Sequence, residues 1–277
     1  MTPPVEITAA ALSGALPRRP RESHKGDYGR VYILGGKVGY TGAPVLAARG
    51  ALRLGAGLVF LGVPQAVYPV VAGHCLCAMP SPLPCDEAGG LSRAAIPAVT
   101  EALAQKSAVL IGPGLGRSAA TQAVVLDADG INALAGHIDV LAARRDRVTV
   151  LTPHAGEFAR LLGREVADPL AEGAAFAGET GCLLVLKGHR TLIFLPDGRI
   201  FRNTTGNPGM ATGGSGDVLA GMTLSLLGQG FSPPVAAQAA VFLHGLAGDL
   251  AAQRVGEYAM TPLDLLAALP DAIKQIS

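Results

Sequence analysis

The sequence predicts an α/β fold with a mostly parallel central sheet and helices on both faces. Short, fully apolar segments rich in Val, Leu and Ile alternate with helical stretches along the 277 residues. Fully apolar strands are typical of parallel sheets, because helices cover both of their faces. The predicted strands are Arg30–Leu34, Leu58–Val63, Ala108–Ile111, Val124–Asp127, Thr149–Thr152 and Leu183–Lys187, and the helices between them include Pro44–Leu54, Gly156–Leu162 and Ala171–Thr180.

The C-terminal third adds two features to this pattern. Thr191–Leu195 and Arg199–Arg202 flank the turn sequence Pro196-Asp197-Gly198, which predicts an antiparallel hairpin late in the sheet. Val218–Leu227 and Val235–Leu250 are apolar on nearly every side, which indicates helices buried in the core.

The chain is expected to form a single domain after a short leading arm. Residues 1–24 are rich in Pro and Arg and predict the arm, and residues 25–277 contain no linker or internal repeat. The N-terminal segment lacks the basic start of a signal peptide, and the longest apolar runs fall short of the ~20 residues of a membrane span. We therefore expect a cytoplasmic protein without a membrane partner.

Composition excludes several classes of protein. Apolar residues make up 49% of the chain and charged residues 16%, unlike a disordered chain or a coiled coil. The 22 Lys and Arg residues nearly balance 21 Asp and Glu residues, so no broad basic field exists to bind nucleic acid. Aromatic residues are only 4% and Trp is absent, which argues against stacking on single-stranded nucleic acid.

The strongest motif is the glycine-rich loop, residues 203–216, which leads through Asp217 into the first buried helix. Its glycines allow several backbone N–H groups to converge on one anion, and the helix N-terminus adds partial positive charge. This favours a phosphate site at Gly213, Gly214, Ser215 and Gly216. A carboxylate beside a bound phosphate is explained if Asp217 accepts a proton. The alternative is a flexible turn with Asp217 as the helix N-cap.

Further motifs follow other predicted strands. Gly35–Ala43 precedes a helix and resembles a second anion-binding loop, whereas Gly112–Gly116 is either a third or only a tight strand-to-helix turn. Asp127 and Asp129 follow the next strand, at the edge where α/β proteins bind ligands. They could hold Mg²⁺ through water or serve as turn and cap residues.

Two single side chains complete the set of candidates. His154 precedes a predicted helix and is either a ligand-binding or a structural histidine. Lys187 ends a predicted strand and either meets a phosphate or is a solvated strand-end lysine. All six features lie at strand ends of one α/β domain, which favours one common site over six coincidences.

Taken in order, these motifs resemble the ADP/ATP-dependent NAD(P)H-hydrate dehydratase family. The resemblance covers roughly residues 24–270 and depends most on the string from Asn207 to Asp217. It implies a ribokinase-like fold and a carbon–oxygen lyase that repairs the S epimer of NAD(P)H hydrate with release of phosphate. The segments that carry it are Gly35–Ala43, Ile111–Gly116, Asp127–Asn132, Thr152–Glu157, Lys187–Thr191 and Asn207–Asp217.

The resemblance also implies roles for individual residues. Asp217 is the implied catalytic base, Mg²⁺ the implied metal, and ADP or ATP the implied phosphoryl donor. The implied partners are a separate NAD(P)H-hydrate epimerase and further copies of the chain in a homotetramer. By the resemblance, the hydrated cofactor is expected to contact Ala43, Gly114, Gly116, His154 and Asp217. The nucleotide is expected to contact Lys187, Gly188, His189, Arg190, Thr191 and Gly216. The expected anion hole consists of Gly213, Gly214, Ser215 and Gly216.

Two other functions fit part of the pattern. A ribokinase-like kinase of a vitamin-precursor alcohol shares the glycine-rich loop and Asp217, but a small alcohol has less use for three anion-binding loops. A non-catalytic nucleotide sensor is disfavoured, because it gains nothing from the negative charge of Asp217 beside its ligand.

Overall fold

The computed structural model describes residues 3–112 and 123–276, and the strands of these residues form one ten-stranded sheet. In spatial order the strands are β1-β10-β9-β8-β7-β6-β5-β2-β3-β4 once they are numbered along the chain. Their bounds are β1 Val5–Glu6, β2 Arg30–Leu34, β3 Leu58–Pro64, β4 Met79–Leu83, β5 Ala108–Ile111, β6 Ala123–Leu126, β7 Val148–Leu151, β8 Leu183–Leu186, β9 Leu192–Phe194 and β10 Ile200–Arg202.

Helices connect these strands and also follow the last of them. The α-helices of the described residues are α1 Ala9–Leu12, α2 Gly42–Arg53, α3 Tyr68–His74, α4 Ile96–Leu103, α5 Asp129–Asn132, α6 Asp139–Ala142, α7 Ala155–Leu162, α8 Pro169–Thr180, α9 Ser215–Gly228, α10 Pro233–Val255 and α11 Pro262–Lys274.

The predicted parallel sheet and late hairpin are both confirmed. Neighbouring strands from β8 to β4 pair in parallel, and β9 runs antiparallel to β8 and β10. The hairpin turn contains Gly198 at φ 87°, a left-handed conformation that suits glycine. Asp197 stabilises the turn by accepting a hydrogen bond of 3.1 Å from the backbone N–H of Arg199.

Two hydrophobic cores cover the two faces of the sheet, as fully apolar strands require. Val31 and Ile33 of β2 belong to the core that includes α2, α9, α10 and α11. Tyr32 and Leu34, which alternate with them, belong to the core with α4, α7 and α8. Because successive side chains of a strand point to opposite faces, a strand buried on both sides must be apolar throughout.

The strand order places a topological switch point between β2 and β5. From β2 the chain moves outward to β3 and β4, and it then returns to pair β5 with the other edge of β2. The two connections leave β2 and β5 in opposite directions. A crevice therefore opens beyond the carboxyl ends of these strands, where open α/β sheets bind ligands.

The first helix of the glycine-rich region begins earlier than the sequence predicts, at Ser215 and not at Val218. Gly214 is its N-cap and takes a left-handed φ of 96°, so Ser215 and Gly216 can already be helical. Asp217 is the third residue of the helix and not its N-cap. The alternative explanation of Asp217 as a cap is thereby wrong.

Strand β4 was not predicted, because Pro80 and Pro82 interrupt its sequence. The backbone carbonyl of Leu83 accepts a hydrogen bond from Gln65, which shows that residue 83 faces β3. Backbone groups alternate along a strand, so both prolines face away from β3 on the outer edge of the sheet. An outward-facing position needs no N–H, and proline is tolerated there.

Part of the predicted arm belongs to the sheet. Strand β1 pairs in parallel with β10, and the side chain of Ile7 is buried in the core. Further along, the guanidinium of Arg19 stacks over the ring of Tyr28 at 3.7 Å from the centroid. The division of the chain at residue 24 remains a prediction.

Helix α10 contradicts the expectation that every apolar segment is too short to span a membrane. Among the described residues it alone is long and apolar enough to cross a membrane by length and composition. Most of its apolar length is buried inside the structure, as in the core helix of a globular domain.

Helices α2 and α9 approach each other closely enough for backbone contact. A Cβ atom on Gly221 of α9 would lie 2.0 Å from the carbonyl oxygen of Ala47 on α2. A Cβ atom on Gly50 of α2 would lie 2.6 Å from the carbonyl oxygen of Val218 on α9. Glycine at both positions is what allows this separation between the helices.

We expect Gly221→Ala to lower the free energy of unfolding by about 3 kcal/mol, since overpacking typically costs 1–3 kcal/mol and a backbone carbonyl yields little. Gly178→Ala on α8 is the matched control, because nothing lies within 4 Å of its Cβ position. This control should gain up to about 1 kcal/mol from helix propensity. Urea unfolding of both variants checks the prediction, and a Gly221→Ala variant as stable as the wild type contradicts it.

Candidate active site

The crevice at the switch point contains several of the residues singled out in the sequence. It is lined by the ends of β2 and β5, the start of α2, the residue after β6 and the first turn of α9. Ala43, Asp127 and Asp217 thus share one cleft with Gly35 and Gly112. Gly114 and Gly116 lie outside the described residues.

The first turn of α9 presents backbone donors to this cleft. Within the described residues, the N–H groups of Gly213, Gly214, Gly216 and Asp217 have no hydrogen-bond acceptor, whereas that of Ser215 donates to Thr212 at 3.3 Å. Free N–H groups at a helix N-terminus form an anion site. Of the four residues predicted to form the anion hole, the three glycines therefore have free N–H groups, and Ser215 does not.

Ser215 contributes a different feature. Its side chain is buried, and its Oγ has no hydrogen-bond partner among the described residues. A buried hydroxyl without a partner is costly, and such groups require an explanation such as a site completed by a ligand or water.

Asp217 is a carboxylate of the cleft with a raised pKa. Its pKa is raised from an ordinary value of 3.8 to about 6, chiefly because burial disfavours the charged form. The negative charge of Asp127 raises the pKa further, and the positive charge of Lys187 opposes the rise. A carboxylate with a pKa near 6 is well matched to proton transfer close to neutral pH.

Lys187 is held by carboxylates and is not a solvated strand-end lysine. Its Nζ lies 2.7 Å from Oδ1 of Asp127 and 3.9 Å from Oε2 of Glu157. Asp127 is only 4% exposed and also accepts a hydrogen bond of 2.8 Å from the hydroxyl of Thr152. The pair satisfies a buried carboxylate that would otherwise be costly.

Lys187 also lies next to the first turn of α9. A Cβ atom on Gly216 would lie 3.3 Å from Nζ of Lys187, so the glycine keeps this space open. The ammonium and the free N–H of Gly216 can therefore contact one anion.

The turn after β8 brings the rest of the predicted nucleotide segment to the same edge of the sheet. The Thr191 hydroxyl donates to the Gly188 carbonyl at 3.1 Å and closes the turn. Arg190 takes a left-handed φ of 58°, uncommon for a residue with a side chain. The side chains of His189 and Arg190 are exposed.

His154 has a clear structural role, and its ring also remains accessible. It is the N-cap of α7, where Nδ1 accepts hydrogen bonds from the N–H groups of Gly156 at 3.0 Å and Glu157 at 3.3 Å. Its Nε2 lies 3.6 Å from Oε1 of Glu157, and the side chain is 55% exposed. The cap fixes the ring at the carboxyl edge of β7. Contact of His154 with a ligand stays a prediction.

The two carboxylates after β6 are engaged separately. Asp127 pairs with Lys187, whereas Asp129 lies 3.6 Å from Nζ of Lys37 and accepts a hydrogen bond from Asn132. Ala128 between them has φ 48° and ψ −121°, a strained backbone for a residue with a Cβ. No group of three or more potential metal-ligating side chains occurs within residues 3–112 and 123–276.

Helix α10 supplies contacts that the sequence analysis missed. Nε2 of the buried His244 lies 2.9 Å from the carbonyl oxygen of Ser215. Asp249 accepts hydrogen bonds from the backbone N–H of Gly206 at 2.9 Å and the side-chain amide of Asn207 at 3.0 Å. The only signal for these residues was their polarity within an otherwise apolar helix.

Solved structures share this architecture over nearly the whole chain. The ADP/ATP-dependent NAD(P)H-hydrate dehydratase from Bacillus subtilis, co-crystallised with ATP and Mg²⁺, is 30% identical with a TM-score of 0.77, covering 99% of both chains. A ribokinase-like superfamily protein from Enterococcus faecalis is 29% identical with a TM-score of 0.79, covering 99% of this chain and 96% of that one. The predicted ribokinase-like fold is confirmed.

Curated relatives of two lengths match the sequence. The bifunctional NAD(P)H-hydrate repair enzyme Nnr of Moorella thermoacetica is 46% identical over 286 residues, which cover 98% of this chain and 54% of the relative. The ADP-dependent (S)-NAD(P)H-hydrate dehydratase of Neisseria meningitidis is 37% identical over 269 residues, which cover 90% of this chain and 86% of the relative. The chain thus spans about half the length of the bifunctional relative.

A family model places these similarities in one group. The model for NAD(P)H-hydrate dehydratase matches residues 31–271, which include the cleft, Lys187 and the whole glycine-rich loop. The sequence motifs, the fold and the relatives agree, and the chain belongs to the NAD(P)H-hydrate dehydratase family.

Proposed function

We propose that this chain uses ADP or ATP to remove water from the S epimer of hydrated NADH or NADPH, restoring the reduced cofactor and releasing phosphate. The observation that carries the proposal is Asp217, whose pKa of about 6 occurs in a helix turn with free N–H groups. The Neisseria relative, whose name describes this reaction, supports the choice of substrate.

The chemistry follows from the poor leaving ability of hydroxide. In the proposed sequence the hydroxyl oxygen of the hydrate attacks the terminal phosphoryl group of the nucleotide, and Asp217 accepts the hydroxyl proton. The new phosphoester then loses phosphate as the ring nitrogen lone pair forms a double bond to carbon. Loss of a proton from the neighbouring ring carbon restores the dihydropyridine, so the nucleotide loses one phosphoryl group for each cofactor repaired.

In the proposed reaction, backbone N–H donors and the ammonium of Lys187 bind the transferred phosphoryl group. The N–H groups of Gly213, Gly214 and Gly216 have no other acceptor among the described residues, and Lys187 adds a full positive charge beside Gly216. One well-placed donor typically stabilises such a transition state by about 3 kcal/mol. By the family resemblance, Lys187, Gly188, His189, Arg190, Thr191 and Gly216 contact the nucleotide.

The hydrated cofactor is proposed to occupy the cleft on the other side of Asp217. Ala43 lines that cleft together with Asp127, and His154 lies at the neighbouring strand end. The resemblance adds Gly114 and Gly116 to this set. A dinucleotide carries its own pyrophosphate, which gives the additional glycine-rich loops a use.

The residues fit Mg²⁺ only as a partner of nucleotide phosphates. Asp127 and Glu157 place two carboxylates beside the ammonium of Lys187, whose charge also acts on Asp217, and the described residues contain no group of three potential metal ligands. Asp127 uses Oδ1 for both Lys187 and Thr152, so its other oxygen is the one for a Mg²⁺-bound water. Asp129 is the second candidate for such a contact, because it follows the same strand. When bound, the ion would neutralise phosphate charge.

The resemblance also implies a partner enzyme, an oligomeric state and a location in the cell. An epimerase converts the R epimer of the hydrate into the S epimer on which this chain acts. The chain works as a cytoplasmic homotetramer.

We expect purified protein with NADH hydrate, Mg²⁺ and ADP or ATP to recover NADH absorbance and release phosphate in a one-to-one ratio. The ring nitrogen expels phosphate, so no phosphoester should accumulate. A stable phosphorylated product from a thiazole or pyrimidine alcohol, without recovery of NADH from its hydrate, replaces this function with that of a vitamin-precursor kinase.

We expect Asp217→Asn to lower turnover by about 10²–10⁴-fold, the usual range for a lost general base. Nucleotide binding should persist, because the substitution removes a negative charge beside an anion. In the wild type, kcat/KM should rise with pH through an apparent pKa near 6, as the carboxylate ionises. A variant that keeps more than about a tenth of the wild-type rate contradicts proton acceptance by Asp217.

The stability of the same variant separates catalysis from folding. The folded-state pKa of Asp217 is raised, so its contribution to stability is fully present below about pH 4 and is lost as pH rises through about 6. Asparagine cannot ionise, so at pH 8 Asp217→Asn should be more stable than the wild type by about 1–3 kcal/mol. Asp264→Asn is the opposite case at the third residue of another helix: hydrogen bonds from Thr261 lower the pKa of Asp264, so this variant should be less stable than the wild type at pH 8.

We expect Lys187→Met to weaken nucleotide binding at least tenfold while hydrate binding changes less than threefold, measured by calorimetry. The double variant Lys187→Met with Asp127→Asn removes the unpaired carboxylate that the single variant leaves behind. Its nucleotide binding should stay weak if the ammonium contacts phosphate. Recovery of binding in the double variant would show instead that repulsion by Asp127 caused the loss.

A further inference from the structure

A buried histidine from a different helix holds the first turn of α9. We propose that His244 of α10 is a positioning residue, which fixes the direction of the Gly216 N–H and the place of Asp217 by donating a hydrogen bond to the Ser215 carbonyl. The Nε2 to oxygen distance is 2.9 Å, and His244 is 8% exposed. The inference rests on the proposed function for its catalytic consequence.

The environment of His244 decides which atom donates. Burial lowers the pKa of His244 to about 4, and the nearby positive charge of Lys187 lowers it further, against the raising effect of the Ser215 bond. The ring is therefore neutral near pH 7. A carbonyl oxygen can only accept, so the proton of the neutral ring must be on Nε2.

Planarity of the peptide unit transmits this bond to the site. The carbonyl of Ser215 and the N–H of Gly216 belong to one peptide group, whose atoms lie close to a plane. In a trans peptide the C=O and the N–H point in opposite directions. A hydrogen bond that fixes the Ser215 oxygen toward α10 therefore fixes the Gly216 N–H in the opposite direction, and the ammonium of Lys187 lies beside the same residue.

The local sequence cannot provide this constraint by itself. Gly214 and Gly216 flank Ser215, and glycine populates more backbone conformations than any other residue. Gly214 already takes a left-handed φ of 96°, and the helix has no side-chain cap. The helix itself orients this peptide group only at its first residue, and His244 adds an anchor from outside the loop.

The bond of His244 belongs to a wider set of contacts between α10 and the glycine-rich loop. The hydroxyl of Thr205 donates to the carbonyl of Phe242 at 2.9 Å, and Asp249 holds the backbone N–H of Gly206. Gly248 makes room for Met210, since a Cβ there would lie 2.3 Å from its sulfur. Helix α10 therefore anchors the start of the loop and, through His244, its end.

Substitution of His244 tests the proposal by its effect on turnover. His244→Met keeps bulk and removes the donor, and we expect kcat to fall about ten- to a hundredfold, as small misplacements of catalytic groups do. The KM for the hydrate should stay within threefold. His244→Gln restores a donor nearly as far from the backbone and should recover most of kcat. An unchanged kcat in folded His244→Met, or a folded His244→Gln as slow as the Met variant, overturns the proposal.

Thr223→Val is the matched control for a general loss of packing. Thr223 lies on α9, the helix that His244 contacts. It is fully buried and donates its hydroxyl to the Leu219 carbonyl at 3.0 Å. Its removal deletes a buried hydrogen bond without touching the first turn. We expect this variant to lose stability and keep kcat, and an equal loss of kcat in this control contradicts a specific role for His244.

Two measurements do not depend on activity and so separate this proposal from the proposed function. Amide hydrogen exchange at Ser215 and Val218, whose N–H groups donate to Thr212 and Gly214, should be at least tenfold faster in His244→Met and near wild type in His244→Gln. In the wild type, a long-range ¹H–¹⁵N correlation spectrum should show His244 as the neutral tautomer protonated at Nε2. An Nδ1-protonated or cationic ring overturns the proposal even if the Met variant fails to fold.

Discussion

Backbone contact between α2 and α9 is the constraint on which the site depends. Each helix begins at a glycine-rich loop at the edge of the sheet, and the glycines at 50 and 221 let the helices touch without intervening side chains. This contact brings the start of α2, with Ala43, and the first turn of α9, with Asp217, into one cleft. A wider helix separation would leave two half-sites, each with an anion-binding loop and neither with a complete set of reacting groups.

The charges in the cleft oppose one another in a way that suits a ligand carrying both phosphate and metal. One ammonium faces the carboxylates of Asp127 and Glu157 and also acts on Asp217, whose pKa rises because the protein offers it burial and more negative charge. The free N–H groups of α9 supply the opposite potential a few ångströms away. Proton acceptance and anion binding can therefore occur side by side.

Patterns that act locally were predictable from the sequence, and contacts between distant segments were not. Apolar strands such as β2 and β5 were located because burial on both faces leaves a continuous apolar run, and Asp217 was found because a carboxylate after Gly213–Gly216 is chemically unusual. The strand order, the pairing of Lys187 with Asp127 and the role of Gly221 depend on which segments meet in space. The anchors on α10 were hidden because a helix apolar on nearly every side gives no direction to its few polar residues.

The prolines at the outer edge of β4 have a consequence for assembly. An exposed edge strand normally offers alternating donors and acceptors to a strand from another molecule, the route by which sheets extend into aggregates. At positions 80 and 82 the outward-facing donors are absent, so this edge presents acceptors only. A strand from another copy could only donate to this edge and would gain half of the usual hydrogen bonds, whereas the exposed Val70, Leu76 and Met79 near this edge offer side chains for contact.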